Sequence, residues 1–393
     1  MSKVHNFSAR TTSLAVIGLV GLGAAAHAQT GQPTPQPPPQ PPIVTPNDAT
    51  SGTMQRANPQ MRAVLEKLEK LGAKPLGTQS VADTRRGPTP ADAVKAVLKD
   101  QGKDPGAMMA QMGVNVRETS YPAAGGPQKL RIYTPTVTNQ TILPVIVYFH
   151  GGGWVIADLD TYDASARGLA QKTGAIVVSV EYRHAPEHRF PAAHDDSSAA
   201  YRWVIHNAAS FGGDPKRLAV AGESAGANLA INVAIMARKQ KLQAPLHMLL
   251  VYPVAGTDMN TPSYQTNENA VPLSKRAMAW FVSNVLAKSN DARDPRLDLV
   301  GKANVAGLPP ATVIAAEIDP LLSEGKALAD KLTKAGVVTS YTVYPGVTHE
   351  FFGMSAVVAD ADAAQDLAAK NLRAALAPIN GSQAKLDPLR RRP

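Results

Sequence analysis

The amino-acid sequence predicts an α/β fold, a mostly parallel central sheet with helices on both faces. Three observations carry this. Between residues 144 and 344 short apolar runs alternate with stretches of helical periodicity. The runs are apolar throughout rather than at every second position, the mark of strands covered on both faces. And 393 residues at 44% hydrophobic content suffice for one large domain with additions.

Taken from the start, residues 1–28 read as an export leader. Lys3 and Arg10 make a positive start, Leu14 to Ala25 an apolar stretch, and Ala26-His27-Ala28 a small-residue cleavage site before Gln29. The apolar stretch is short for a membrane span of about 20 residues. The expectation is therefore an exported protein, periplasmic or secreted, with no stable membrane insertion after cleavage. Residues 29–55 contain "PTPQPPPQPPIVTP", a low-complexity spacer that favours polyproline II.

Residues 56–112 read as helical. Met61, Val64, Leu65, Leu68 and Leu71 share one helix face, and Gly72 and Pro75 end it. In "TPADAVKAVLKD", Thr89 is the N-cap and Pro90 the first helical residue, with Val94, Val97 and Leu98 as the apolar stripe. These helices precede every strand, so they must pack on something later in the chain.

Residues 113–380 form the strand–helix domain. "GVNVRETSY" and "QKLRIYTP" alternate apolar and polar around "PAAGG", an antiparallel hairpin. Strands follow at 144–149, 175–180, 218–221, 248–252, 311–315 and 339–344. Helices lie near 163–172, 195–208, 224–239, 323–335 and 356–377. A longer insertion at about 259–290 holds the amphipathic "LSKRAMAWFVSNVL". Residues 381–393 are a polar tail with Arg390-Arg391-Arg392.

Composition removes several function classes. Cysteine is absent, which excludes disulfides, cysteine-ligated zinc and a cysteine nucleophile. The net charge is +9, yet no basic helix or aromatic-interleaved basic patch accompanies it, so no nucleic-acid partner is expected.

The chemistry gathers around "VAGESAGANL". Ser224 lies between an apolar run and a helical pattern, with Gly222 and Gly226 two residues to either side. A sharp strand-to-helix turn exposes a serine hydroxyl but crowds its neighbours, so both flanking positions must lack bulk. Ligands bind beyond the carboxyl ends of such strands, where Ser224 falls. Serine hydrolases on such sheets run in the order Ser, acid, His. Of nine histidines only His247 and His349 follow Ser224. His247 opens the apolar "LHMLLVYP" and reads as structural, whereas His349 lies in a loop after the last strand. The acid belongs to "AEIDPLLSEG", which offers Glu317, Asp319 and Glu324. Asp319 is favoured because Pro320 holds the chain out of helix there. Glu324 suits a helix start, and Asp258 is a distant alternative.

After "PVIVYF" comes "HGGGW", His150 to Trp154. Gly151, Gly152 and Gly153 let backbone N–H groups approach a developing negative charge with no Cβ in the way, and Ala225 N–H adds a donor. Which two glycines donate is open. No phosphate-binding pattern follows. His150 reads as a brace of the loop, and Trp154 and Tyr182 as pocket walls or core. In "EYRHAPEH", Arg183, His184, Glu187 and His188 offer metal-type ligands, but their spacing gives no tidy helical pair, so bracing is preferred and no metal or other cofactor is expected.

The stretches "YFHGGGW", "VSVEYRHAPEHRFPAAHDDSSAAYRWV", "VAGESAGANLA", "DPLLSEG" and "YPGVTHEFFGM" stand in one order over residues 57–380. With them the chain resembles the bacterial hormone-sensitive-lipase-like α/β-hydrolases, a group of carboxylesterases. The resemblance implies the α/β-hydrolase fold, a Ser224, Asp319 and His349 triad, and oxyanion glycines at Gly151 to Gly153. It also implies a helical cap from the N-terminal helices and the 259–290 insertion. Two positions depart from it. Glu350 stands where many members carry Gly, and Glu223 where Asp or Thr is common.

The expected partner is a small-molecule ester with a short to medium acyl chain, and there is room for a homo-oligomer. An amidase or lactonase would use the same triad. A ligand receptor on this scaffold is disfavoured because every catalytic residue is present. With His349 as base, activity should fall as pH drops through about 6.5.

Overall fold

The computed structural model describes residues 52–378 except Asn139. The export leader, nearly all of the Pro-rich spacer and the basic tail lie outside the described residues. The last residues assigned to the spacer instead enter a first helical turn, α1 (Thr53–Arg56).

Four helices follow before any strand: α2 (Pro59–Lys70), α3 (Val81–Arg86), α4 (Pro90–Asp100) and α5 (Pro105–Gln111). Their starts are capped as their side chains dictate. Asn58 accepts from the Met61 N–H, and Thr89 and Asp92 form a reciprocal capping box with Pro90 at the first position. Met61, Val64, Leu65 and Leu68 of α2 are buried, but Leu71, read as the end of that stripe, is 41% exposed. It sits at the C-cap, where the helix has already turned away.

The hairpin comprises β1 (Val114–Ala123) and β2 (Gly126–Pro135). Ala123 pairs with Gly126, so the strands run into the segment read as turn and leave only two residues between them. Then come β3 (Leu143–Phe149), α6 (Asp163–Thr173), β4 (Ile176–Val180), α7 (Ala192–Asn207), β5 (Gly213–Glu223), α8 (Ala225–Lys239) and β6 (Met248–Val251). The insertion contributes α9 (Pro262–Thr266) and α10 (Lys275–Val285). The chain ends with β7 (Ala311–Ile318), α11 (Leu322–Lys334), β8 (Thr339–Thr348) and α12 (Ala359–Leu376).

The eight strands form one sheet in the order β1-β2-β4-β3-β5-β6-β7-β8. From β4 through β8 every pairing is parallel, and the hairpin adds antiparallel strands at one edge. This is the α/β-hydrolase fold. Strand periodicity divides the core. Val145, Val147 and Phe149 of β3 pack with α7, α8 and α11, while Ile146 and Tyr148 pack on the other face with α6 and α12. The early helices α2 and α4 join this second face through Met61, Val64, Ala93 and Val94.

Candidate active site

Ser224 lies between β5 and α8 with φ 56° and ψ −119°, a left-handed backbone that a serine adopts only under constraint. The constraint is close packing. A Cβ on Gly222 would strike the carbonyl of Gly226, and one on Gly226 would strike the carbonyls of Phe149 and His150. The Ser224 N–H donates to the carbonyl of Val251 at 2.9 Å, which ties the turn to β6. Ser224 is almost wholly buried and lines the main cavity together with His349.

His349 follows β8, and its Nδ1 lies 2.7 Å from Oδ2 of Asp319, in the turn after β7. Both side chains are buried. The second Asp319 oxygen accepts from the Leu321 N–H at 2.8 Å, and Asn267 of the insertion donates to the Asp319 carbonyl at 3.0 Å. The other acids considered are engaged elsewhere. Glu317 accepts from the Gly346 N–H, Glu324 from the Ala255 N–H, and Asp258 is exposed at a surface turn. His247 is buried against the Thr312 hydroxyl, and burial pushes its pKa down to about 4. For His349 burial also acts downward, but the Asp319 carboxylate, its hydrogen bond and the charge of Glu350 outweigh it. The imidazole titrates above its ordinary value.

The glycine loop follows β3. Gly152 (φ 89°) and Gly153 (φ 58°) line the cavity, and a side chain on either would collide with the Ile156 carbonyl or the Phe281 ring. Gly151 lies behind them, with the Tyr162 hydroxyl and the Glu223 carbonyl packed where its Cβ would be. Ala225 is the first residue of α8, so its N–H has no acceptor within the helix. Trp154 is buried and lines the cavity. Tyr182, weighed as a pocket wall, does not line it. Its hydroxyl donates to the carbonyls of His150 and Gly151 at 2.9 and 3.1 Å, and its ring stacks on His150. It stands behind the loop, stacked on His150, while Glu181 and His184 of the same segment line the cavity.

The cavity measures about 1060 Å³. Its floor holds Ser224, His349, Gly152 and Gly153. Its roof comes from two separate stretches, Leu65 to Pro90 and Gly256 to Leu297, with Leu76, Leu273, Met278, Phe281 and Val285 among the apolar contributors.

The alpha/beta hydrolase fold family model matches residues 146–353. Carboxylesterase NlhH of Mycobacterium tuberculosis is 40% identical over 277 residues, 69% of this chain and 86% of that enzyme. Ethyl acetate hydrolase of Pseudomonas putida is 36% identical over 235 residues, 59% of this chain and 74% of that enzyme. Among solved structures, a hyperthermophilic esterase from Pyrobaculum calidifontis superposes with a TM-score of 0.71 at 33% identity. That match covers 82% of this chain and 100% of the other.

The chain belongs to the α/β-hydrolase family, in its hormone-sensitive-lipase-like branch. In this α/β-hydrolase two carboxylates stand behind the floor. Glu223 accepts from the hydroxyls of Tyr148, at 2.6 Å, and Tyr252. Burial, and then the charge of Glu350, raises its pKa to about 7. Glu350 accepts from the Tyr162 hydroxyl, and Oε1 lies 3.7 Å from Nε2 of His349. Burial raises its pKa as well. Its backbone is left-handed, φ 73°, a conformation that favours glycine. Sequence reasoning marked Glu350 as a departure but had no signal for Tyr162, whose hydroxyl joins Glu350 to the back of the glycine loop.

Proposed function

We infer that this carboxylic ester hydrolase works through Ser224 as nucleophile, His349 as general base and Asp319 as the residue that orients the imidazole. The observation that carries this reading is the buried 2.7 Å contact between Asp319 and His349, on a cavity floor shared with Ser224. Asp319 holds the proton on Nδ1, which leaves Nε2 free to take the Ser224 proton. Ser224 Oγ attacks the ester carbonyl carbon. The oxyanion receives N–H donors from the glycine loop, where Gly152 and Gly153 face the cavity, and from Ala225. Collapse expels the alcohol, which takes the proton from His349. Water then enters by the same base, and acid leaves.

The substrate class we propose is a small ester with a short to medium acyl chain. A largely apolar roof supports an ester with an apolar acyl chain, and the cavity of about 1060 Å³, just above the roughly 300–1,000 Å³ of ordinary small-molecule sites, has room for it. The leader motif supports action outside the cytoplasm. Mass spectrometry of the mature N-terminus tests that point, with Gln29 as the expected first residue.

The deciding experiment is hydrolysis of p-nitrophenyl esters from acetate to long chains by the purified protein beside Ser224→Ala. Turnover that peaks at short or medium chains and vanishes in the variant supports the reading. Equal rates in both proteins would remove Ser224 as nucleophile. Turnover of amides or lactones in place of esters would redirect the substrate class but keep the triad.

A further inference from the structure

Behind the glycine loop three side chains converge that the esterase chemistry does not use. His150 follows β3, and Glu181 and His184 follow β4. His150 Nε2 lies 3.4 Å and His184 Nε2 lies 3.3 Å from Oε1 of Glu181. All three donor atoms lie within 4.8 Å of one another. Both Nε2 atoms are buried and lack a hydrogen-bond partner. Leaving two buried ring nitrogens unsatisfied is costly, and each such group calls for an explanation.

We propose that His150, Glu181 and His184 form a binding site for a divalent cation that accepts mixed nitrogen and oxygen ligands, Zn²⁺ above all.

Four features support it. The first is spacing. Hydrogen bonds from imidazole to carboxylate centre near 2.9 Å, so 3.3–3.4 Å is long for that bond. Donors bound tetrahedrally at about 2.0–2.1 Å from one ion sit about 3.3 Å apart, and two of the three separations already match. The third, between the two imidazole nitrogens, is within 4.8 Å. The second is orientation. Nδ1 of His150 donates to the Gly151 carbonyl at 2.9 Å, a backbone bond of the kind that fixes the tautomer of metal-ligating histidines and points the Nε2 lone pair outward. The third is charge. Glu181 and nearby Asp158 bring two carboxylates to two imidazoles, while nearby Arg85 is paired with Glu187, a balance that suits a 2+ ion. The fourth is access, since Asp158, Glu181 and His184 line the main cavity.

Such an ion would fasten the end of β4 to the residue that starts the oxyanion loop. Two ligands come from "EYRHAPEH", but the third comes from the next strand of the sheet. Glu187 and His188, equally suggestive in sequence, are exposed, and Glu187 pairs with Arg85.

The test is calorimetric titration of the purified full chain with ZnCl₂ at pH 8, with CoCl₂ as a spectroscopic probe. We expect one saturable equivalent, a visible Co²⁺ band of tetrahedral intensity and a higher melting temperature with the ion. His184→Leu should weaken binding at least about tenfold, in line with the loss of a ligand, and abolish the thermal shift. His349→Asn should leave binding unchanged, which separates this site from the catalytic histidine. Matched melting of His184→Leu and wild type without ion shows that the variant is folded. No saturable equivalent in the wild type would overturn the proposal, as would equal affinity in His184→Leu.

Discussion

The floor and the roof of the cavity are built differently. On the floor the groups proposed to react are polar, buried and held by hydrogen-bonding partners: Ser224 by Val251, His349 by Asp319, Asp319 by Leu321 and Asn267. Its backbone takes positive φ at Gly152 and Gly153, and is strained at Ser224 and Glu350, which do so with a side chain. The roof is apolar, comes from short helices and loops, and includes half-buried residues such as Leu76, Val282 and Leu286. Packing there needs suitable volume, not fixed angles. The contrast assigns chemistry to the floor and choice of substrate to the roof, and substitutions in each should have separable signatures.

The largest effect belongs to Ser224→Ala. Loss of the nucleophile should lower kcat by roughly 10⁶-fold, with the melting temperature nearly unchanged because one buried hydroxyl is removed. Stopped assays with a p-nitrophenyl ester beside a thermal melt measure both. Gly152→Ala comes next. Its Cβ would meet the Ile156 carbonyl, so the loop must shift and the donors leave the oxyanion. A loss of about 10²–10³ in kcat is expected, with KM little changed. A change confined to KM would mean that Gly152 shapes the pocket and does not stabilise the transition state.

In the roof, Val282→Phe adds a ring to half-buried space that lines the cavity. It should cut kcat/KM about tenfold for the longest accepted acyl chain, spare acetate, and leave the melting temperature nearly unchanged. An equal loss across the ester series would break the division of labour, since the roof would then be acting on the chemistry.

The same contrast explains what could be read in advance. The glycine loop and the turn at Ser224 were legible because their backbone demands are local and only glycine meets them. Asp319 and His349 were legible from chain order after parallel strands, and Pro320 helped choose among three acids. The roof is legible from the residues as amphipathic helices in need of a partner, and as a cap only through the family resemblance, because its packing depends on contacts some 200 residues apart. Tyr182 was weighed as a pocket wall because an aromatic after a strand looks the same from either side of a loop. Glu350 shows in sequence only as a departure from the family pattern, and Tyr162 and the meeting of His150 with Glu181 and His184 have no signal, since spacing along one segment says nothing of its neighbour across a sheet.

The smallest predicted effect bears on a floor residue that behaves unlike the others. His349 is faced by Asp319 at Nδ1 and by Glu350 at 3.7 Å from Nε2, with Glu223 and Glu324 farther off and the Tyr252 ring against the imidazole. Each negative charge favours the imidazolium, which cannot act as base, so activity should fall as pH drops through a value above the 6.5 of a free histidine. In Glu350→Gln one of those charges is gone. The His349 pKa then drops, and the acid limb of kcat/KM should move to lower pH by roughly one unit. Activity on the alkaline plateau should change little, because the hydrogen bond to Asp319 remains. Glu350→Gly should shift the limb equally and also raise the melting temperature, since glycine adopts φ 73° without strain. A limb that moves in neither variant would mean that Glu350 keeps its proton throughout the range, in line with the upward push of burial on its own pKa. A limb that moves in both, with stability gained only in the glycine variant, would show a residue kept at a strained position for its charge on the catalytic base.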